Sequence, residues 1–251
     1  MAEINLHLNP ALKAEDYAQI YARDGLVRVE NVLPEPAAQA IADVLARSTP
    51  WRLVFPEPDP AGGHEKIVTL TRADMQALGP AGLQQRLGPV MERARDNYGF
   101  LYFAYPMISA YMKGEDPGHP LHRLTEFLNS TEFLEFGRKV IGADKITKAD
   151  AQATFYNRGH FLTRHTDEGH DRERRAAYTF GFTPKWEPDW GGLLMFLDDS
   201  LEVSRGLLPR FNMLSLFDGT RVHTVSPVSP FAGGPRLQIT GWLRDDPPVQ
   251  G

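Results

Sequence analysis

The sequence predicts a mostly β core that follows a mixed, helix-rich half, and three observations support this prediction. Short runs rich in β-branched and aromatic residues, each bounded by turn-forming residues, occupy 152–156, 177–183, 193–197, 211–217, 222–225 and 237–243. Helical periodicity dominates before residue 150. No internal repeat or low-complexity linker separates the two parts. We therefore expect one domain over 1–251, with a helical and mixed part at 1–150 and a sandwich or barrel with Greek-key connections at 151–245.

The first helices can be placed from their end signals. Tyr17 and Tyr21 have helical spacing within 14–23, and Gly25 stands where a helix can end. A short strand is expected at 26–29. Pro34 then suits the first turn of a second helix, because the missing proline N–H has no helical partner there.

The middle of the chain is expected to alternate strands and helices. Strand-like runs at 51–55 and 66–70 flank a loop rich in proline and glycine at 56–63. A helical pattern follows over 72–98, and its two Gly-Pro pairs, at 79–80 and 88–89, are expected to break it. Ser130 can cap a later helix that Gly142 would end.

Composition excludes several classes of function. The 251 residues contain no cysteine, which excludes disulfides, thiolate zinc sites, iron–sulfur ligation and cysteine nucleophiles. A net charge of −5 gives no basic footprint for nucleic acid. No apolar run is long enough to span a bilayer, and the N-terminus lacks a signal-peptide pattern. We expect a cytoplasmic protein that binds neither nucleic acid nor membrane. The basic cluster at 172–175 is interpreted as a solvated loop, with a substrate-guiding patch as the alternative.

Three residues form a candidate metal site. His165 and Asp167 are separated by one residue, so in an extended segment both side chains point the same way. His223 lies on a later expected strand and can complete the set. Two histidines and one carboxylate leave open positions on a metal, an arrangement suited to Fe(II) and O2. A lone His-x-Asp is also typical of a surface loop or a structural histidine, and His160 and His170 are alternative ligands.

Alternation over 236–242 predicts a candidate anion site. It places one set of side chains on a common face: Arg236, Gln238, Thr240 and Trp242. A guanidinium that points into a barrel is costly unless an anion meets it, and a carboxylate is its natural bidentate partner. Thr240 can add a hydrogen bond, and Tyr156 can donate its phenolic proton to the same ligand. The alternatives are an internal salt bridge or an outward face for Arg236, and a packing role for Tyr156.

These motifs, in this order, resemble the prolyl-hydroxylase-like branch of the Fe(II)/2-oxoglutarate oxygenases. The matching segments are YNRGHFLTRHTD at 156–167, WGGL at 190–193, FNMLSLF at 211–217, HTVSPV at 223–228 and RLQITGW at 236–242. Within that branch the chain is most similar to the catalytic half of the ribosomal-protein prolyl hydroxylases. The likeness covers about residues 125–245.

The resemblance implies a double-stranded β-helix, or jelly-roll, core buttressed by the N-terminal helices. It implies that Fe(II) is held by His165, Asp167 and His223, and that the far carboxylate of 2-oxoglutarate is held by Arg236, with Tyr156 and Thr240 assisting. It also implies a dioxygenase that hydroxylates a substrate C–H bond and releases succinate and CO2, with ascorbate in support. The intact Asp167 favours hydroxylation, because halogenating relatives carry a small residue there.

The resemblance leaves the substrate open. A prolyl residue of a protein or peptide is the first expectation, and a free amino acid or a natural-product small molecule is the alternative. The eukaryotic ribosomal enzymes carry a second, non-catalytic jelly roll, for which this chain is too short. Two other classes also remain to be separated, a non-catalytic jelly-roll binding module and a cupin-like enzyme that uses zinc or manganese without 2-oxoglutarate.

Overall fold

The structure, a computed structural model, describes residues 4–58, 65–169 and 172–247. Residues 59–63 of the expected proline- and glycine-rich loop lie outside this range, as does His170.

The described residues form six α-helices. These are α1 (Ala14–Asp24), α2 (Glu35–Arg47), α3 (Arg72–Arg93), α4 (Met107–Lys113), α5 (Pro120–Leu128) and α6 (Thr131–Ile141). The predicted end signals are confirmed. Gly25 ends α1 with a left-handed φ of 60°, and the Ser130 hydroxyl accepts a hydrogen bond from the backbone N–H of Phe133 at the start of α6. Within the described ranges, no helix combines the length and the hydropathy that a membrane crossing requires.

One expected helix break in α3 is present and the other is wrong. Gly79 leaves helical geometry, with φ 64° and ψ 176°, and kinks the helix before Pro80. At Gly88-Pro89 the helix instead continues to Arg93. A proline removes one backbone donor and bends a helix, but neighbouring turns can carry the helix past it.

The described residues also form thirteen strands. These are β1 (Leu26–Glu30), β2 (Arg52–Glu57), β3 (Lys66–Leu70), β4 (Phe100–Tyr105), β5 (Lys148–Ala149), β6 (Gln152–Tyr156), β7 (Phe161–His165), β8 (Arg174–Gly181), β9 (Leu194–Leu197), β10 (Val203–Leu207), β11 (Met213–Phe217), β12 (His223–Val225) and β13 (Arg236–Arg244). All six strands expected after residue 151 are present, with shifted ends. Strands β4, β5, β7 and β10 were not predicted from the sequence.

The strands form two antiparallel layers. The larger layer has the order β1-β11-β8-β13-β6-β4, with β2 and β3 beyond β4, and the smaller has the order β7-β12-β9-β10. Strand β4 joins the layers, because its last residues pair with β6 and its first residues pair with β7. This arrangement is the jelly-roll core expected from the sequence, with helices on its flank.

Alternation along β13 separates the two faces of the larger layer. Leu237, Ile239 and Leu243 are buried in an apolar core that also contains Ile41 of α2 and Phe133 of α6. The helices therefore cover the outer face of the sheet. The intervening side chains of β13 face the space between the layers, which is where the polar residues of the candidate site lie.

Candidate active site

The predicted metal-ligating residues converge at the end of the smaller layer. His165 ends β7, His223 begins β12, and the strand register pairs them directly. Asp167 follows two residues after β7. Its Oδ1 lies 3.6 Å from Nε2 of His165, and its Oδ2 lies 3.4 Å from Nε2 of His223. The three ligand atoms lie within 4.8 Å of one another, a spacing at which one ion can contact all three.

Backbone contacts hold the carboxylate in this position. The N–H of Asp167 donates a 2.7 Å hydrogen bond to the carbonyl oxygen of Gly219. A Cβ at residue 219 would lie 3.2 Å from Cβ of Asp167, closer than most side chains tolerate. Glycine at 219 therefore allows the close approach of the two loops.

The two imidazoles are oriented as metal ligands. Nδ1 of His165 lies 2.9 Å from the carbonyl oxygen of Thr163, and Nδ1 of His223 lies 2.9 Å from that of Arg221. Because a carbonyl oxygen only accepts, each Nδ1 donates, and each Nε2 keeps its lone pair. This backbone contact fixes the tautomer that a metal at Nε2 requires.

Burial favours the ionisation states that bind a cation. Burial and the neighbouring His223 lower the pKa of His165, so its ring is neutral at neutral pH. Burial pushes the pKa of Asp167 upward, but the neighbouring imidazoles of His223 and His165 outweigh burial and leave this pKa below its usual value. A neutral histidine beside an ionised aspartate is a ligand set ready for a metal.

Arg236 is buried, and no described carboxylate balances its charge. Its side chain is 1 % exposed, and burial lowers its pKa to about 10. Among the described residues no carboxylate forms an ion pair with it, and its Nε has no hydrogen-bond partner. The internal salt bridge and the outward face considered from the sequence are both contradicted. A buried cation in this state is stabilised by an anion from outside the chain.

Tyr156 lies beside Arg236 and Thr240 lies further along the same strand. The register pairs Tyr156 with Arg236, and the guanidinium lies 4.9 Å from the centre of the phenol ring. Burial raises the pKa of Tyr156 well above its usual value, so the hydroxyl keeps its proton and can donate it. Thr240 lines the same cavity as Arg236. His160, an alternative ligand, instead packs 5.3 Å from the ring of Phe103, outside the metal-ligating group.

One cavity of about 630 Å³ between the two layers is lined by all six predicted site residues: Tyr156, His165, Asp167, His223, Arg236 and Thr240. Its wall includes Tyr98 and Tyr102 from the N-terminal half, which the sequence analysis missed. Tyr102 stacks on Tyr156 with ring centres 4.9 Å apart, and Tyr98 lies 5.9 Å from the ring of His165. The aromatic run 98–105 was the available signal for this wall.

Two tryptophans, Trp186 and Trp190, lie beside the Gly191-Gly192 segment that passes Arg236. Trp186 and Trp190 meet edge to face at 5.3 Å, and the indole N–H of Trp186 donates to the carbonyl oxygen of Gly191. A Cβ at Gly192 would lie 3.0 Å from Trp186 and 3.4 Å from Cδ of Arg236. The Gly-Gly pair thus lets the backbone pass between the indole and the arginine stem.

Comparisons with known proteins agree with this geometry. Residues 151–244 match the family model of the 2OG-Fe(II) oxygenase superfamily. A comparison with the curated proteins found no match.

Several solved structures have a similar fold. A prolyl-4-hydroxylase from Pseudomonas putida is 17 % identical with a TM-score of 0.56, covering 94 % of this chain and 100 % of that one. A prolyl hydroxylase from Trichoplax adhaerens, solved with a hypoxia inducible factor peptide fragment, is 16 % identical with a TM-score of 0.59, covering 93 % and 89 %. A 2OG-Fe(II) oxygenase family oxidoreductase from Burkholderia pseudomallei is 12 % identical with a TM-score of 0.57, covering 98 % and 96 %. At these identities the likeness establishes a shared fold.

The matched segment contains the three metal-ligating candidates, Arg236 and the strands that hold them. The chain carries a segment of the 2OG-Fe(II) oxygenase superfamily at residues 151–244. It is a 2-oxoglutarate-dependent dioxygenase, whose cofactor is Fe(II) and whose co-substrates are 2-oxoglutarate and O2. The residues present fit that cofactor and co-substrate, because a nitrogen- and oxygen-donor set and an unpaired buried guanidinium face the same cavity.

Proposed function

We propose that this dioxygenase hydroxylates an aliphatic C–H bond, with a prolyl residue of a peptide or protein as the first substrate class. In this proposal Fe(II) binds to His165, Asp167 and His223. Arg236 holds the far carboxylate of 2-oxoglutarate. The observation that carries the proposal is the placement of a metal-ready ligand set and an unpaired buried cation on the walls of one cavity.

Each residue has a separate task in the reaction. The bound iron and 2-oxoglutarate supply the oxidising chemistry, in which O2 is consumed, succinate and CO2 are released and one oxygen atom enters the C–H bond. Arg236 fixes the direction of the co-substrate by a charge-assisted, two-point contact. The protonated Tyr156 donates a hydrogen bond to a co-substrate oxygen, and Thr240 can add another. The aromatic wall excludes water from the reacting bond.

The prolyl substrate is supported by fold similarity. The Pseudomonas putida structure is named as a prolyl-4-hydroxylase, and the Trichoplax adhaerens enzyme was solved with a peptide. A cavity of about 630 Å³ beside the metal-ligating residues has room for a pyrrolidine ring in addition to 2-oxoglutarate. A free amino acid or another small molecule is the second candidate, and it is favoured by the charge at the cavity mouth described below.

The test measures metal binding and co-substrate turnover in matched variants. Purified wild type is expected to bind one equivalent of Fe(II) and to convert 2-oxoglutarate to succinate with ascorbate present, even without a primary substrate. Asp167→Ala should lose both properties, because a buried site with two neutral histidines cannot balance the charge of the ion. Asp199→Ala, at an exposed position, is the control and should behave as wild type.

Mass spectrometry of proline-containing peptides then tests the substrate. Incubation with wild type should add the mass of one oxygen atom to a prolyl residue, and incubation with Asp167→Ala should not. A wild type that binds neither iron nor 2-oxoglutarate would overturn the proposed site. Turnover of 2-oxoglutarate without modification of any peptide would overturn the prolyl substrate alone.

A further inference from the structure

An irregularity in β7 turns Arg164 towards the cavity. In the pairing of β7 with β12, His223 faces His165 while Val225 faces Leu162, so β7 carries one extra residue between these pairs. Such a β-bulge re-aims side chains. Leu162, Arg164 and His165 consequently all line the cavity, although strict alternation would send Arg164 and His165 to opposite faces.

No described residue forms an ion pair with Arg164. It is exposed, and across the residues that the structure describes no ion pair or hydrogen bond of its guanidinium is found. Its position places a positive charge in the cavity wall, one residue before a metal-ligating candidate.

A second arginine lines the same cavity. The guanidinium of Arg174 lies 3.7 Å from the ring centre of Trp242, and its Nη1 donates a 3.4 Å hydrogen bond to the backbone carbonyl of Asp167. Its Nε is buried without a hydrogen-bond partner. Glu173 lies 3.9 Å from that Nε and is shared with Arg244, 3.4 Å away, so its charge is divided between two arginines.

The charges of Fe(II) and 2-oxoglutarate can be compared with the charges of the protein groups around them. The ferrous ion and Arg236 are together balanced by Asp167 and the two carboxylates of 2-oxoglutarate. Among the described residues that line the cavity, Asp167 is the one carboxylate. Within the described cavity wall the charge of Arg164 therefore stays uncompensated, and the charge of Arg174 is offset in part by Glu173.

We propose that Arg164 and Arg174 bind a carboxylate of the primary substrate, so that the substrate is an anion whose hydroxylated carbon lies close to a carboxylate. This inference rests on the proposed function and names its substrate class. The aromatic side chains of Tyr98, Tyr102 and Trp242 on the same cavity would pack against the apolar part of that substrate. The carboxylate can belong to a free amino acid or to an acidic residue or C-terminus of a peptide.

Matched pairs of probes separate these sources. Each free L-amino acid, proline first, is compared with its carboxamide. A peptide with Glu next to an internal proline is compared with the same peptide carrying Gln. The readouts are the increase in succinate formation over the substrate-free rate and calorimetric titration into protein loaded with Zn(II) and 2-oxoglutarate, which cannot turn over. We expect at least one acid to exceed its amide by about tenfold or more, since a charge-assisted contact is replaced by a neutral one.

Substitution of Arg164 is the decisive variant. Arg164→Gln should remove the preference for acid over amide in both readouts, mainly by raising KM and Kd for the acid, and Arg164→Lys should restore part of it. Arg205→Gln, an exposed strand arginine outside the cavity, should keep the wild-type preference. Arg174→Gln serves as a second variant only, because Arg174 also contacts the backbone of Asp167.

The outcomes separate this inference from the function on which it rests. If wild type does not turn over 2-oxoglutarate at all, the proposed function fails and the inference fails with it. If it does so but no acid outperforms its amide, or if Arg164→Gln keeps the preference, the carboxylate contact alone is overturned. Preference for a free acid identifies a small-molecule substrate, and preference for the Glu peptide identifies an acidic peptide.

Discussion

The two halves of the chain contribute different parts of one site. Residues 151–244 supply the candidate metal-ligating residues and the buried arginine, all from strands of the jelly roll or from loops next to them. The half before residue 150 supplies no such group. It contributes β4, which joins the two layers, and the tyrosines of the cavity wall.

The two halves therefore differ in role: one carries the candidate ligands, and the other completes the cavity around them. Residues 151–244 match the family model and carry the candidate ligands for metal and co-substrate. The cavity around them is completed by strands from outside that segment, with β1 paired to β11 and β4 paired to β6. We therefore expect residues of both halves to select the substrate, whereas the candidate residues for the oxidation all lie in 151–244.

The largest expected effect follows from separating the halves. Residues 151–244 expressed alone should not fold cooperatively, because loss of β4 exposes two strand edges and loss of the helices exposes the apolar face of β13. We propose that the whole chain is one domain, so it should unfold in a single thermal transition, followed by circular dichroism. A cooperative transition in the isolated segment would show instead that the catalytic half is autonomous.

The second effect concerns Arg236, the buried cation of the catalytic half. Arg236→Met should raise KM for 2-oxoglutarate by about a hundredfold or more, as loss of a buried charged contact costs about 3 kcal/mol or more. Without 2-oxoglutarate the variant should be at least as stable as wild type, because an unpaired buried charge has been removed. Thermal melts without 2-oxoglutarate measure the stability, and the shift in melting temperature on adding 2-oxoglutarate measures its binding. A shift as large as that of wild type would contradict the role assigned to Arg236.

The third effect probes a contact between the halves. Burial lowers the pKa of His160 to about 4 from 6.5, and its ring packs on Phe103 of β4. Because the folded state resists protonation, this histidine contributes stability that is complete above pH 6.5 and is lost as the pH falls through 4. The loss is at most about 3 kcal/mol. His160→Gln should flatten the urea-unfolding free energy over this pH range, and an unchanged slope would refute the burial argument.

The smallest expected effect concerns the aromatic wall. Tyr102→Ala should lower the free energy of unfolding by about 2 kcal/mol, since it removes a half-buried ring that stacks on Tyr156. Tyr102→Phe keeps the stack and should change stability by less than about 0.5 kcal/mol. Binding of 2-oxoglutarate should be less affected by Tyr102→Ala than by Arg236→Met. Equal losses would show that the N-terminal half also takes part in holding the co-substrate.

Features that depend on neighbouring residues in the chain were predicted correctly from the sequence. A period of two along 236–242 placed Arg236 on the cavity face and Leu237 in the core, as the structure has it. Glycine and serine end signals located α1 and α6, because caps depend on a few adjacent backbone groups. His165 and Asp167 were paired by the same two-residue period, and His223 was assigned to a neighbouring strand.

Tertiary structure decided the features that depend on distant residues. Strand β4 has no clear alternation, because it is covered on both faces and bridges two layers, so neither it nor Tyr102 was predicted. Arg164 could not be placed by alternation, since the bulge that turns it towards the cavity exists only in the pairing of β7 with β12. The sequence by itself identified the candidate residues for binding iron and a carboxylate. Which other side chains line the same cavity was determined by the pairing of strands that are far apart in the chain. This pairing sets the strand register and closes the cavity, and no local sequence pattern contains that information.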